Sequence, residues 1–231
     1  MNVIVKKLYD AVIEGDEDMA VVAANEAIAA SLDSLSVIKE GIQAAMDVMG
    51  VRFEDGDAFL PELMLAGDAA TKSMELLLAQ IRKDGGEGAD AGTVVLGVMA
   101  GDHHDIGKNL VKAVLSANGF KVVDLGIDVS VKKFIETAQR ENAQIIACST
   151  LITTSLPYQK ELVETLKAMG IRKEYKVIVG GGPVTPQWTK TIAADGYSNT
   201  ASECVDLCKQ LVSDSCRGGE HAPIIIGALT A

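Results

Sequence analysis

The sequence predicts an α/β protein in which an N-terminal four-helix bundle precedes a doubly wound parallel sheet of the Rossmann-like or flavodoxin-like kind. In the first 83 residues, apolar side chains recur at three- and four-residue intervals, which is typical of amphipathic helices. Beyond residue 92, short β-branched apolar runs alternate with helical patterns. That alternation indicates parallel strands covered by helices on both faces. We therefore expect a helical domain at 1–83 and an α/β domain at 93–213.

Three breaks divide the N-terminal region into about four helices. They fall at 15–16, 33–34 and 54–57, where glycine, aspartate or serine interrupts the apolar periodicity. The last helix is expected to begin near Phe59, with Pro61 in its first turn, where the missing N–H of proline does no harm. Four amphipathic helices of this length are sufficient for a small bundle.

Four short apolar runs predict the strands of the α/β domain. They lie at 93–99, 121–126, 143–149 and 175–181, and helices are expected to begin near Gly107, Val131, Ser155 and Thr185. The segment 84–92 is rich in glycine and acidic residues and is predicted to be a linker that could act as a hinge. The tail at 214–231 fits an edge strand, a cover over the bundle or a mobile end.

The composition argues against several classes of function. The chain has 231 residues, of which 48% are hydrophobic, and a formal net charge of −11. This acidic balance argues against nucleic-acid binding, which needs clustered Lys and Arg. No apolar run approaches the roughly 20 residues of a membrane span, so we expect a cytoplasmic protein. Cys204 and Cys208 lie one helical turn apart, but the chain has no second such pair to complete a metal site, and we interpret them as helix-face residues.

The stretch GDHHDIGKNLV, residues 101–111, follows the first predicted strand, and ligands of parallel sheets bind beyond the carboxyl ends of the strands. Asp102 lies two residues before His104, and Gly107 lies three residues after it. A carboxylate at that spacing can accept one N–H of the imidazole, which is how metal-bound histidines are oriented. The alternative is a helix start with ordinary surface polar residues.

Two further stretches favour a ligand site over an ordinary helix start. STLITTS, residues 149–155, follows the third strand, and VGGGP, residues 179–183, follows the fourth. Together, Asp102-x-His104-x-x-Gly107, Ser149-x-Leu151 and Gly180-Gly181-Gly182 resemble the three-part fingerprint of cobalamin-binding domains. The resemblance extends over roughly residues 92–213.

The resemblance implies a specific mode of cofactor binding. In that family, the benzimidazole tail of the corrinoid leaves cobalt and enters a channel in the domain, and the motif histidine becomes the lower ligand, an arrangement called base-off, His-on. Here that ligand is His104, because the same offsets from His103 would meet Gly101 and Ile106. A hydroxyl group completes a ligand triad in the family, and Ser155 is its counterpart. The residues expected to contact the cofactor are Asp102, His103, His104, Asp105, Ile106, Gly107, Ser149, Leu151, Thr153, Ser155, Gly180, Gly181 and Gly182.

The helical region sharpens the resemblance. RFEDGDAFLPELMLAGDA, residues 52–69, resembles the cap of cobalamin-dependent methionine synthase and of small methyltransferase corrinoid proteins. In those proteins a helical bundle shields the upper face of the corrin. By position, Phe53 and Leu60 match the aromatic residue and the leucine of the cap, and Leu63 is a neighbour. The alternative is that these three side chains belong to the core of the bundle.

The resemblance therefore implies a non-catalytic methyl carrier whose cobalamin, or a related corrinoid, alternates between methylcob(III)alamin and cob(I)alamin. Its expected partners are a substrate:corrinoid methyltransferase, a corrinoid:acceptor methyltransferase that uses tetrahydrofolate or coenzyme M, and a reductive activase. One alternative is the small subunit of an adenosylcobalamin mutase, which the helical region argues against. Another is a cobalamin-dependent regulator, for which the sequence offers no helix-turn-helix and no basic face. The sequence does not identify the methyl donor.

Overall fold

The computed structural model describes residues 1–84, 91–213 and 218–227. Its contacts divide the chain into two compact units, Met1–Asp84 and Gly85–Ala231. Most of the linker and hinge predicted at 84–92, and parts of the tail predicted at 214–231, lie outside the described residues.

The first unit consists of helices. They are α1 (Val3–Glu14), α2 (Glu17–Ala29), α3 (Ser34–Val37), α4 (Ala44–Glu54) and α5 (Leu60–Asp84). The π-helical segment Ile38–Gln43 joins α3 to α4 through continuous helical backbone. The helices of this unit therefore form four rods, and the predicted breaks fall between consecutive rods. Although α5 has 25 residues, neither it nor another helix in the described ranges is apolar enough over a sufficient length to cross a membrane.

Local sequence explains where the rods of the first unit begin. Asn2, Asp16 and Asp33 each accept a hydrogen bond from a backbone N–H of the following turn, which satisfies one of the unpaired donors at a helix start. Gly15 ends α1 in the left-handed conformation with φ of 68°. Leu63 of α5 packs against a small buried cluster of Met49, Ala58 and Ala66.

The second unit is a parallel sheet of six strands in the order β2-β1-β3-β4-β5-β6. The strands are β1 (Thr93–Val98), β2 (Lys121–Asp124), β3 (Ile145–Ser149), β4 (Lys176–Gly180), β5 (Gly196–Ser198) and β6 (Ile224–Ile226). The helices are α6 (Ile106–Ala117), α7 (Val131–Arg140), α8 (Leu156–Ala168), α9 (Pro186–Ile192) and α10 (Ala201–Ser213). The predicted fold class is confirmed, and the first four helices begin within one residue of their predicted starts. The two short strands β5 and β6 were not predicted as strands, although an edge strand was one of the alternatives for the tail.

Side chains of the strands alternate between two layers of helices. Val95 and Met99 pack in one buried cluster with Phe134 of α7 and Leu162 of α8. Gly196 faces the opposite layer, since a Cβ atom there would lie 2.7 Å from Leu207 of α10. Both faces of the sheet are therefore covered, as the near-continuous apolar character of the strands requires.

The strand order determines where a ligand can bind. The chain leaves β1 for β2 on one side and returns to β3 on the other side, so the direction of winding reverses at β1 and β3. In open parallel sheets, ligands bind outside the carboxyl ends of the strands at such a switch point. The segments that follow β1 and β3 are 99–105 and 150–155, and these carry Asp102, His104 and Leu151 of the motifs.

Candidate functional site

Asp102 is fully buried immediately beyond β1, and both of its carboxylate oxygens accept hydrogen bonds. Oδ1 accepts the backbone N–H of His104 at 3.0 Å and lies 2.8 Å from Nδ1 of the same residue. Oδ2 accepts the backbone N–H of Leu151 at 2.5 Å and the hydroxyl of Thr150 at 3.0 Å. One buried carboxylate thus connects the loop after β1 to the loop after β3.

Hydrogen bonding keeps this carboxylate ionised. Burial alone would raise the pKa of Asp102, but hydrogen bonds from the backbone N–H groups of His104 and Leu151, from the His104 imidazole and from the Thr150 hydroxyl hold that pKa well below its usual range. An ionised carboxylate only accepts, so Nδ1 of His104 carries the hydrogen. In the neutral imidazole the remaining lone pair is therefore on Nε2. The side chain of His104 is 55% exposed, which leaves that nitrogen able to bind a metal.

Two buried hydroxyl groups support Asp102, and sequence reasoning found only one of them. Ser155, the predicted member of the triad, is buried, and its Oγ lies 3.4 Å from Oδ2 of Asp102 and 2.9 Å from the carbonyl oxygen of Ile152. Thr150, which the sequence analysis did not select, lies closer to Asp102 and also forms a short hydrogen bond with Ser155. Its position between Ser149 and Leu151 of the motif was the available signal.

The glycines after β4 bring a bare backbone against the same loop. Gly181 has φ of 116°, and a Cβ atom there would overlap the carbonyl oxygen of Thr150. At Gly182 a Cβ would lie 3.1 Å from Cδ1 of Leu151, whereas at Gly180 it would meet no atom within 4 Å. Gly180 is paired with Ser149 in the sheet register. The three motifs therefore lie together at one edge of the sheet, with open space over Gly180.

The remaining predicted residues of the sheet unit surround this centre at its surface. His103, Gly107 and Thr153 are exposed, Leu151 is 52% exposed, and Ser149, Asp105 and Ile106 are half-buried. The carboxylate of Asp105 accepts a hydrogen bond from the side chain of Asn109 at 2.9 Å.

A buried glutamine is a second feature that sequence reasoning missed. Gln159 of α8 is fully buried and donates to the carbonyls of Cys148 at 3.1 Å and Gly180 at 3.4 Å. Its own carbonyl accepts the indole N–H of Trp188 at 3.0 Å. Gln159 therefore fixes the ends of β3 and β4 relative to each other. A lone amide on the apolar face of α8 was the signal in the sequence.

The predicted cap residues of the helical unit differ in exposure. Phe53 is 42% exposed and Leu60 is 57% exposed, whereas Leu63 packs into the core of that unit. The exposed apolar side chains near the end of α4 and the start of α5 are Val51, Phe53, Phe59, Leu60, Met64 and Leu65, and we call this set the apolar patch. Exposed apolar side chains that lie this close together in the sequence are candidates for a binding surface.

The cysteines interpreted as helix-face residues, Cys204 and Cys208, are buried in α10. Within the described ranges, His, Cys, Asp and Glu side chains do not group in threes that could hold a metal ion. The exposed imidazole of His104 can serve as one ligand of a metal that already has most of its ligands, as in a macrocycle.

Comparison with known proteins identifies that kind of ligand. A family model described as a B12 binding domain matches residues 92–206, and a second B12 binding domain model matches residues 4–78. The chain is 43% identical to trimethylamine corrinoid protein 1 of Methanosarcina acetivorans over 209 residues. The aligned region covers 90% of this chain and 97% of that protein. The chain belongs to the corrinoid proteins. Its cofactor is a corrinoid, either cobalamin or a related compound.

Solved structures of corrinoid proteins share the fold. The monomethylamine corrinoid protein of Methanosarcina barkeri matches with a TM-score of 0.84 and 34% identity, over 90% of this chain and 98% of that chain. A chain of the methanol:cobalamin methyltransferase complex from the same organism matches with a TM-score of 0.53 and 30% identity, over 92% of this chain and 81% of that chain.

The residues present fit a corrinoid. A flat macrocycle needs a surface without projecting side chains, and the backbone at Gly180 has open space where a Cβ would stand. The cobalt of a corrinoid can accept an imidazole nitrogen as a ligand, and the lone pair on Nε2 of His104 is available for this because Asp102 holds Nδ1. The exposed side chain of Leu151 adds an apolar contact at the same edge.

Replacing Gly181 with alanine tests the packing of the glycine loop on Thr150. We expect Gly181→Ala to destabilise the corrinoid-free protein by about 3 kcal/mol or more, because the new methyl group overlaps a backbone carbonyl and φ is positive. Gly180→Ala is the matched control and should cost less than about 1 kcal/mol, since its Cβ meets open space. Urea unfolding measures both values, and equal costs would contradict the described packing.

The pH dependence of stability tests the state of Asp102. Its folded-state pKa lies below its unfolded value, so its stabilising effect is fully present above about pH 4 and is lost as the pH falls towards the folded-state pKa. We expect Asp102→Asn to lower the free energy of unfolding by about 3 kcal/mol at pH 7 and by progressively less below pH 4. Asp206→Asn, at an exposed position of α10, is the control. A pH-independent difference between Asp102→Asn and wild type would contradict the ionised state of Asp102.

Proposed function

We propose that this corrinoid protein is a methyl carrier that works between two methyltransferases and catalyses neither transfer itself. The observation that carries the proposal is the exposed His104 imidazole fixed through Nδ1 by the buried carboxylate of Asp102. The corrinoid supplies a cobalt atom that accepts a methyl group and passes it on. The similarity to a trimethylamine corrinoid protein and to a chain of a methanol:cobalamin methyltransferase complex supports the proposal.

In this proposal His104 is the lower ligand of cobalt in the base-off, His-on mode. Asp102 selects the tautomer with hydrogen on Nδ1 and orients the ring, and Thr150 and Leu151 in turn orient Asp102. Nδ1 is hydrogen-bonded to the carboxylate whether or not Nε2 holds a metal, so Asp102 would keep the ring oriented in both states.

The apolar patch has a separate role in the proposal. We propose that Phe53 and Leu60 cover the upper side of the corrinoid, where the methyl group is carried, and exclude water and oxygen from it. Their exposure supports this assignment, because both side chains are available for an apolar ligand. Leu63, which was also predicted as a cap residue, packs in the bundle core and would hold the helix that carries Leu60 in place.

The proposed carrier needs three partner proteins, because it catalyses neither methyl transfer itself. A carrier needs a methyltransferase that delivers a methyl group from a small methylated substrate, and a second one that removes it to an acceptor such as tetrahydrofolate or coenzyme M. It also needs a reductive activase, because the reduced cofactor is prone to oxidation. Substrate selectivity belongs to the first methyltransferase in this proposal, since neither the His104 centre nor the apolar patch offers groups that distinguish one methyl donor from another.

Electron paramagnetic resonance of the Co(II) form tests the axial ligand. After reconstitution with hydroxocobalamin, we expect superhyperfine coupling to one histidine nitrogen, which changes from a triplet to a doublet when the protein is labelled with ¹⁵N-histidine. His104→Ala should abolish that coupling, and the matched variant His103→Ala should retain it. Coupling that does not respond to the label would mean that the benzimidazole remains on cobalt.

Photolysis of the methylated cofactor tests the cover. The double variant Phe53→Ala and Leu60→Ala should accelerate photolysis and air oxidation several-fold but change corrinoid affinity little, because most contacts are expected in the sheet unit. Met19→Ala with Val22→Ala is the control, since those exposed side chains lie on α2. Identical rates in the two double variants would show that the apolar patch does not cover the cofactor.

A further inference from the structure

The loop that carries His104 is held at its first end by an aspartate of the next crossover. Asp128, between β2 and α7, accepts the backbone N–H of Gly101 on Oδ1 at 2.8 Å. Its own N–H donates to the carbonyl oxygen of Asp102 at 3.1 Å. Asp128 has φ of 51°, a conformation that is uncommon for residues other than glycine, asparagine and aspartate. The two hydrogen bonds therefore fix the backbone just before His104.

A second aspartate of the same crossover holds the other end of the loop. Lys108, in the first turn of α6, is only 2% exposed, and its ammonium donates to both carboxylate oxygens of Asp124 at 2.9 and 2.8 Å. Asp124 also accepts the backbone N–H of Gly126 at 2.9 Å and the ammonium of Lys112 at 3.0 Å. His104 thus lies between two points at which aspartates anchor its loop.

The segment that supplies both aspartates is itself fixed to the central strand. The N–H of Leu125 donates to the carbonyl of Leu96 at 2.8 Å, and the N–H of Val129 donates to the carbonyl of Val98 at 2.9 Å. Val129 also pairs with Met99 in an isolated parallel bridge and is buried. Residues 124–129 are therefore attached to β1 independently of the bonds that Asp128 forms with the loop.

The buried Lys108–Asp124 ion pair is better explained by positioning the start of α6 than by a contribution to stability. Removing two charges from water costs free energy that their attraction often does not recover, and apolar replacements of buried ion pairs are frequently neutral or stabilising. A directional pair at the start of α6 does, however, fix where the helix begins relative to β2. Pre-ordering a ligand loop in this way avoids an entropy cost when the ligand binds.

We infer that Asp124 and Asp128 are positioning residues that hold the His104 loop in its metal-binding conformation from its two ends. The inference rests on the proposed role of His104 as the cobalt ligand. Neither aspartate is hydrogen-bonded to the imidazole: Asp128 acts through the backbone of the loop, and Asp124 acts through Lys108. Loss of either anchor should loosen the loop while Asp102 remains bound to Thr150 and Leu151.

Two variants of Asp128 and one control variant separate the hydrogen bond from backbone strain. Asp128→Gly removes the carboxylate and accepts the positive φ, whereas Asp128→Asn keeps a side-chain oxygen for Gly101. Asp206→Gly, on the exposed face of α10, controls for the loss of an aspartate side chain. In Asp128→Gly we expect amide exchange at Gly101 and His104 to accelerate about 10-fold, and hydroxocobalamin affinity to fall about 10-fold. Asp128→Asn should restore both values to within about two-fold.

The other anchor is tested by replacing the ion pair with apolar side chains, Lys108→Met with Asp124→Leu. If the pair positions the loop, the histidine coupling of the Co(II) form should become heterogeneous and the affinity for hydroxocobalamin should fall. The urea midpoint does not decide the question, because Asp124→Leu also removes the acceptor of Gly126 and Lys112. Uniform histidine coupling with unchanged affinity would overturn the inference for Asp124.

The outcomes distinguish this inference from the proposed function. If wild type shows the coupling of His104 and Asp128→Gly retains wild-type exchange, affinity and coupling, the positioning role is wrong and the ligand assignment stands. If wild type itself lacks coupling to His104, the ligand assignment fails and the positioning role fails with it. The inference is supported only if amide exchange becomes faster and hydroxocobalamin affinity becomes weaker in Asp128→Gly, while Asp128→Asn and Asp206→Gly stay close to wild type.

Discussion

The structure of the candidate site depends on satisfying one buried carboxylate. Asp102 has no access to water, and an ionised carboxylate without hydrogen-bond donors would be too costly to bury. Its donors come from the adjacent His104 and from Thr150 and Leu151 of a distant segment. Those donors are within reach only because β1 and β3 are neighbours in the sheet. The ion therefore links the topology of the fold to the orientation of the exposed imidazole.

The same constraint explains the glycines after β4. Thr150, whose hydroxyl donates to Asp102, also places its backbone carbonyl against the loop after β4. Only a residue without a Cβ can occupy position 181 at that distance and with that φ. Gln159 then fixes the strand ends from below through two carbonyls. Motifs that are far apart in the sequence thus form one interdependent unit.

Sequence reasoning succeeded where the signal is local and stopped where it depends on neighbours in space. The strands β1 to β4 were predictable because buried parallel strands are runs of β-branched residues, and the helix starts were predictable from capping residues and breaks in periodicity. The strand β5 has three residues and begins with glycine, so it shows no such run. At the site, the spacing of Asp102 and His104 was informative because both lie in one loop. Thr150, Gln159 and Asp128 were missed because their partners come from other segments.

The two nitrogens of the His104 ring have different surroundings: Nδ1 is held by hydrogen bonds, and Nε2 is available for a ligand. On the Nδ1 side every group is specified: a buried carboxylate, its donors and the two aspartates that anchor the loop leave little freedom. Nε2 has no such partner among the described residues, and the His104 side chain as a whole is more than half exposed. A carrier in our proposal needs this asymmetry, because its lower ligand must return to one position while its upper face is exchanged between a cover and two enzymes. The apolar patch, built from side chains without directional hydrogen bonds, suits such an exchange, since apolar contact forms and breaks without leaving an unpaired polar group.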